Sequence, residues 1–246
     1  MSQLDKLRET TPYTLGFVLV MCLIVAGGLA FLKQLWGDQQ KANELNFTKE
    51  QILTSVIDDM EGIDVETIFS ERVTGKVINA QGEIESEEVT DALDIELYKE
   101  SKKSTDKRRL PFYTYTNEDG EERYIMPTVG KGLWDQIMSY VALESDKNTI
   151  AGITFDHVAE TPGLGAKIKD DPTFYEDFVG EQILDAEGVL VGVLVRKGNN
   201  DPNNADKSDH TIDAISGATI TGDGVEDMLQ KELKNYLPYL NKQTES

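Results

Sequence analysis

A threonine near the end of the sequence stands where a phosphate ester could form. The stretch 213–224 reads DAISGATITGDG and leads into apolar residues at helical spacing over 225–237, which predict an amphipathic helix. The hydroxyl of Thr219, just ahead of this helix, would lie near unpaired N–H groups and the positive end of the helix dipole. Both favour a phosphate group. The three residues before it are small, so a bulky ligand could approach the backbone.

The same residues also fit an ordinary helix start. In that interpretation Thr221 or Asp223 is the N-cap residue, and Gly217 bends the chain before the helix. Residue types and spacing leave both interpretations open.

A second motif turns the first into a resemblance. Residues 160–165 read ETPGLG and are similar to a loop of the FMN-binding domain family that packs near the flavin. Residues 213–219 match the flavinylation motif of that family, Asp-x-x-Ser/Thr-Gly-Ala-Thr. The two motifs occur in the expected order, about fifty residues apart, ahead of the expected closing helix.

The resemblance implies that FMN is bound covalently, as a phosphoester on Thr219, with Asp213, Ser216, Gly217 and Ala218 completing the flavinylation motif. It also implies that a separate Mg²⁺-dependent flavin transferase cleaves FAD and leaves FMN on the threonine. A threonine hydroxyl is a poor nucleophile unless a base or a metal activates it. Asp213 is the candidate for assisting that activation or for motif recognition, and a plain turn aspartate is the alternative.

Further candidate cofactor contacts lie in the second motif and ahead of it. Gly163 and Gly165 would let backbone N–H groups come close to the flavin. Trp134 and Leu164 are candidates for packing against the ring, with ordinary core packing as the alternative. Lys131 could offer a positive charge to the phosphate or to the reduced flavin, or be a plain surface lysine. The cofactor-binding candidates are therefore Glu160, Thr161, Gly163, Leu164, Gly165, Lys131 and Trp134.

The stretches 130–134 and 140–143 narrow the resemblance. They are similar to the flavin-carrying subunits of membrane complexes of the sodium-translocating NADH:quinone reductase type. This implies an electron carrier that works with other subunits and is not catalytic alone. The alternatives are the G-type flavoprotein of Rnf ferredoxin–NAD complexes, a stand-alone extracytoplasmic flavin reductase, and a membrane-tethered FMN-binding or assembly domain.

Composition excludes several other classes of protein. Lys and Arg number 24 against 45 Asp and Glu, a formal net charge of −21, so nucleic acid is not an expected partner. Cys22 is the single cysteine, so an intrachain disulfide and a Cys-ligated metal site are impossible. No metal ligands and no catalytic acid or base are assigned. The pair Gly163-x-Gly165 lacks the third glycine of a dinucleotide-binding motif.

An uncharged apolar run, Thr14–Leu32, predicts a single transmembrane helix in contact with lipid. At about 1.5 Å per residue it is just long enough to cross the hydrocarbon core. Tyr13 and Trp36 flank it, as is typical of membrane interfaces. A cleaved signal peptide is the alternative. The flanking charges do not decide the orientation, whereas the resemblance implies a domain on the periplasmic side of a bacterial inner membrane.

The fold class expected is α+β, with one N-terminal transmembrane helix followed by one FMN-binding domain. Extended segments are predicted within 65–97, at 111–115, 123–129 and 149–158, and as a hairpin at 183–195, while 133–143 is either helical or extended. The segments expected are 1–38 (tail and transmembrane anchor), 39–62 (connecting helix), 63–122 (acidic strand-rich part or insertion), 123–240 (FMN-binding core) and 241–246 (tail).

Overall fold

A long apolar helix opens the part of the chain that the structure describes. The computed structural model describes residues 11–198, 201 and 203–242, in two compact units, Met1–Phe47 and Thr48–Ser246. Helix α1 (Thr11–Thr54) is the one helix within these described ranges that is long and apolar enough to cross a membrane. Its large apolar side chains between Leu15 and Leu32 are exposed, which is unfavourable in water and suits lipid.

Helix α1 continues past the predicted membrane segment without a break. A separate connecting helix over 39–62 was expected, but α1 runs through to Thr54 and ends there. No proline interrupts residues 33–54, so nothing in this stretch removes a helical hydrogen bond. The prediction of a helix was right for this stretch, and its predicted end was several residues too late.

The second unit is built on one antiparallel sheet. Its strand order is β2-β1-β3-β4-β5-β6. The strands are β1 (Val73–Asn79), β2 (Ile84–Ser86), β3 (Arg109–Thr116), β4 (Glu122–Lys131), β5 (Gln136–Leu143) and β6 (Ile150–His157). The predicted turns lie between β1 and β2 and between β3 and β4, where Gly82 and Gly120 adopt φ of +71° and +83°. The sheet runs across the boundary predicted at residue 123.

Two of the open or extended predictions needed the structure to settle them. The segment 133–143 becomes β5 from Gln136 onwards because it pairs with β4 on one side and β6 on the other. The extended interpretation of 65–97 was wrong at both ends. Helices form there, α2 (Val65–Arg72) and α3 (Val89–Leu93), because Phe69 and Ala92 are buried in the core.

Each face of the sheet has its own hydrophobic core. Neighbouring residues along a strand belong to different clusters, as Ile125 and Met126 do on β4, because successive side chains point to opposite faces. The end of α1, α2 and α3 contribute to one core. The closing helix α7 (Thr219–Lys242) contributes to the other with a stripe of buried apolar residues, as its spacing predicts. The remaining short helices are α4 (Leu97–Ser101), α5 (Lys167–Asp170) and α6 (Pro172–Glu176).

A small second sheet leads into α7. It pairs β7 (Leu194–Arg196) with β8 (Thr211–Asp213) in parallel. The hairpin predicted over 183–195 is reduced to one bridge, Leu184 to Leu190. Gly192, with φ of +74°, interrupts the extended run, so that the chain turns and pairs with β8 instead. The fold as a whole is the α+β class expected, with an apolar helix ahead of it.

Candidate functional site

The first residue of α7 is Thr219, and its side chain is exposed. Gly217, with φ of +82°, makes the tight turn between β8 and this helix, and the Ala218 N–H closes it by donating to the Ile215 carbonyl at 3.1 Å. Among the described residues, the N–H groups of residues 219–221 have no backbone acceptor. An exposed hydroxyl therefore stands at a helix N-terminus whose donors are available to an anion.

Thr221 points the opposite way from Thr219. Its side chain is buried, and its hydroxyl donates a 2.6 Å hydrogen bond to Oε2 of Glu160. The N-cap interpretation of Thr221 or Asp223 was wrong, because the helix begins at Thr219 and both residues lie within it. The other oxygen of Glu160, Oε1, accepts the backbone N–H of Trp134 at 3.0 Å.

Close backbone packing joins the β4–β5 connection to α7. A Cβ atom on Gly130 would lie 2.6 Å from Cβ of Met228, and one on Gly224 would overlap the Lys131 carbonyl. A Cβ on Gly132 would lie 2.5 Å from Oε1 of Glu160. Since real Cβ atoms do not approach other atoms so closely, glycine is required where these segments meet.

Large apolar side chains are exposed around the start of α7. Trp134 is 65% exposed and Leu164 44%, so the core-packing alternative was wrong for both. The indole N–H of Trp134 donates to the Thr161 hydroxyl at 3.1 Å, and Leu164 packs 3.0 Å from where a Cβ on Gly217 would lie. With Ile220, 58% exposed, these residues form an apolar surface of the kind that a planar ligand covers.

The other predicted residues are more dispersed. Gly165 packs against Glu160 and Thr221, whereas Gly163, with φ of +76°, has open space where its Cβ would lie. Ser216 is exposed and Ala218 is buried within the turn. Lys131 is exposed, and it is its main-chain carbonyl that faces α7. Asp213 is exposed at the end of β8, in register with Arg196 of β7.

An ion pair that sequence reasoning missed ties β7 to α7. The Arg196 guanidinium makes two hydrogen bonds to Glu226, the longer of them 3.0 Å, and these bonds raise the pKa of Arg196. Glu226 also accepts the Val195 N–H at 3.2 Å. No motif signals this pair, because its partners meet only once β7 lies beside the second turn of the helix.

The fold and the site together define an FMN-binding domain. The FMN-binding domain model matches residues 132–234, which include the β4–β5 connection, the loop after β6 and most of α7. The residues that the family model covers therefore hold all of the geometry described above.

Relatives along the whole chain identify the family more narrowly. The chain is 34% identical to the NqrC component of the Na(+)-translocating NADH-quinone reductase of Pseudomonas aeruginosa, over 90% of this chain and 91% of that protein. It is 32% identical to the corresponding component of Neisseria meningitidis serogroup B, over 97% and 95%. The chain belongs to the NqrC family of Na(+)-translocating NADH-quinone reductase components.

Solved structures agree with this assignment. The crystal structure of the family member from Parabacteroides distasonis superimposes with a TM-score of 0.70 at 35% identity, covering 82% of this chain and 94% of that one. The structure of Shewanella oneidensis NqrC gives 0.71 at 27% identity, covering 83% and 100%.

Proposed function

We propose that this chain carries FMN as a phosphoester on Thr219 and relays electrons from NADH oxidation toward quinone as the NqrC component of a Na⁺-translocating NADH:quinone oxidoreductase. One observation carries the proposal. Thr219 is exposed at a helix N-terminus with available N–H donors, beside the exposed apolar surface of Trp134, Leu164 and Ile220.

The residues at this site fit the two chemically different parts of FMN. The N–H groups of the first turn of α7 suit the phosphate, whose charge the helix dipole also favours. The exposed indole of Trp134 and the side chain of Leu164 suit the isoalloxazine ring. Gly163, open on its Cβ side, leaves room for a ligand to approach the backbone. FMN supplies one- and two-electron redox chemistry when it is bound.

The protein's own residues hold and present the cofactor. Thr219 supplies the ester oxygen, and Asp213, Ser216, Gly217 and Ala218 form the motif that a flavin transferase reads. Because the apolar surface is open rather than enclosed, a non-covalent ligand would be released readily, and the ester prevents that loss. Thr161 orients the indole of Trp134, Glu160 and Gly165 pack behind it, and Lys131 offers a positive charge nearby.

The chain works as one component of a membrane complex. Helix α1 crosses the bilayer through residues 14–32, in contact with lipid, and the domain core, proposed as 123–240, faces the periplasm. Neighbouring subunits deliver electrons to the flavin and accept them from it, while Na⁺ translocation belongs to the complex. No dinucleotide-binding motif is present in the sequence, so NADH oxidation belongs to another subunit.

Mass spectrometry on protein produced together with an active flavin transferase tests the attachment. We expect wild type to gain the mass of FMN less water on the peptide that contains Thr219, and Thr219→Val to gain nothing. Thr74→Val, an exposed threonine on β1, is the matched control and should be modified like wild type. Unmodified Thr219, with the transferase active on another acceptor, would overturn the covalent attachment.

Single-cysteine labelling in intact cells tests the topology. In a Cys22→Ser background, Asp119→Cys places a thiol in the exposed β3–β4 turn. A membrane-impermeant maleimide should label it without lysis. Ser2→Cys, on the other side of the helix, should be labelled only after lysis. The reverse pattern would place the domain in the cytoplasm.

A further inference from the structure

One buried carboxylate joins the three segments that form the site. Glu160 is only 4% exposed, yet both of its oxygens accept hydrogen bonds. Oε1 accepts the Trp134 backbone N–H, 26 residues earlier in the chain, and Oε2 accepts the Thr221 hydroxyl, 61 residues later. The β4–β5 connection, the loop after β6 and the first turn of α7 therefore meet at a single side chain.

The packing around Glu160 is specific. A Cβ on Gly132 would lie 2.5 Å from Oε1, and one on Gly165 would overlap Oε2 and approach the Thr221 hydroxyl to 2.6 Å. Two glycines from different segments thus leave the space that this carboxylate fills. Buried between them, Glu160 is not placed to contact a ligand on the surface.

The hydrogen bond to Thr221 fixes the rotation of the first helical turn. Two residues along an α-helix differ by about 200° around its axis. With Thr221 held toward Glu160, Thr219 faces outward, as its exposure shows.

The hydrogen bond to Trp134 fixes the other side of the site. The main chain at Trp134 is held by Glu160, and its indole N–H is held by Thr161, the next residue along the loop. The indole stays 65% exposed, although burial would remove a large apolar surface from water. Glu160 and Thr161 together thus keep the ring on the surface.

We propose that Glu160 is a positioning residue of the flavin site, which locks the Trp134 segment to the first turn of α7 and so sets the indole against the flavin carried by Thr219. This inference rests on the proposed function. Glu160 itself does not touch FMN. Without its carboxylate, attachment to Thr219 continues, but the indole and the flavin lose their fixed relation.

Flavin fluorescence of the loaded full-length protein in detergent tests the proposal. An indole held against a flavin quenches its emission by electron transfer, so Trp134→Phe should raise the emission severalfold and set the upper reference. Glu160→Ala and Thr221→Val should raise it toward that level and lower the anisotropy. Thr221→Val keeps the side-chain volume, so it tests the hydrogen bond even if Glu160→Ala folds poorly.

Conservative variants separate positioning from general damage. In Glu160→Gln the amide oxygen still accepts the Trp134 N–H, and the amide N–H can donate to the Thr221 hydroxyl. Thr221→Ser keeps the donor. Both should retain wild-type emission. Unchanged emission in Glu160→Ala and Thr221→Val, or in Trp134→Phe, overturns the proposal.

Hydrogen exchange on unloaded protein gives a readout that does not need the flavin. The Trp134 amide should exchange slowly in wild type and in Glu160→Gln, and much faster in Glu160→Ala. Equal exchange in all three would show that Glu160 does not hold this segment. If wild type takes up no FMN from an active transferase, the proposed function fails, whereas the exchange result still judges Glu160.

Discussion

The hydroxyl of Tyr236 donates a 2.8 Å hydrogen bond to the carbonyl oxygen of Pro127, and both residues are buried. The bond joins α7 to the centre of β4. It lies where the paired register of β4 with β3 has already ended, at Ile125. A proline, which lacks an N–H, is tolerated there, and its carbonyl finds a partner on the helix.

Tyr236→Phe should therefore destabilise the domain. It leaves the buried Pro127 carbonyl without this donor while keeping the ring, at an expected cost of about 1–2 kcal/mol. Urea unfolding of the full-length protein in detergent, followed by circular dichroism, measures it. Tyr98→Phe removes a hydroxyl from an exposed ring and should change the unfolding free energy little. Equal effects of the two variants would show that the buried bond has no special weight.

Two glycines of the ETPGLG loop should respond to alanine for different reasons. In Gly165→Ala the methyl group overlaps the Glu160 carboxylate and the Thr221 hydroxyl, and overpacking of this kind costs about 1–3 kcal/mol. In Gly163→Ala the methyl group enters open space, and the cost, about 1 kcal/mol, comes from φ of +76° alone. Loaded Gly165→Ala should also show altered flavin emission. A larger loss of stability in Gly163→Ala would contradict the steric explanation.

Stability should fall as pH rises through the neutral range, because of Glu181. This side chain is wholly buried, and burial raises its pKa from 4.5 to about 7, although the Lys207 ammonium lowers it and Asp209 adds a smaller increase. Between these values the native carboxyl keeps a proton that the unfolded chain has lost. The stability present below pH 4.5 is thus lost as pH rises through 7, by about 2 kcal/mol.

Glu181→Gln provides the measurement. Urea unfolding at several pH values between 4 and 8 should show a flatter profile in this variant than in wild type. Glu187→Gln, an exposed carboxylate on a neighbouring turn, should keep the wild-type slope. An unchanged slope in Glu181→Gln would mean that another group sets the pH dependence.

The Arg196–Glu226 pair should be worth more than an ordinary surface pair. Glu226 is largely buried, with 17% of its side chain exposed, and Arg196 bonds to both of its oxygens. A double-mutant cycle with Arg196→Met and Glu226→Gln should give a coupling of about 1 kcal/mol. The Lys231–Asp227 pair on α7, exposed on both sides, should give about 0.3 kcal/mol. Equal couplings would show that burial adds nothing to the pair.

Local signals in the sequence predicted much of this molecule. Apolar spacing predicted the membrane helix and α7, because each presents a continuous apolar surface. The two motifs pointed to the segments that meet at the site. The Glu160–Thr221 bond could not be predicted, because it joins residues 61 apart whose types are equally suited to solvent. The parallel pairing of β7 with β8 was missed because each strand has only three residues.

The order of synthesis gives the closing helix a further importance. Strands β1–β6 leave the ribosome before α7, so the face of the sheet that α7 covers remains bare until the last helix emerges. Bare apolar sheet invites aggregation and chaperone binding. Because Thr219 begins that same helix, the attachment site is completed by the same step that closes the core, and a chain stalled before this step presents no finished acceptor.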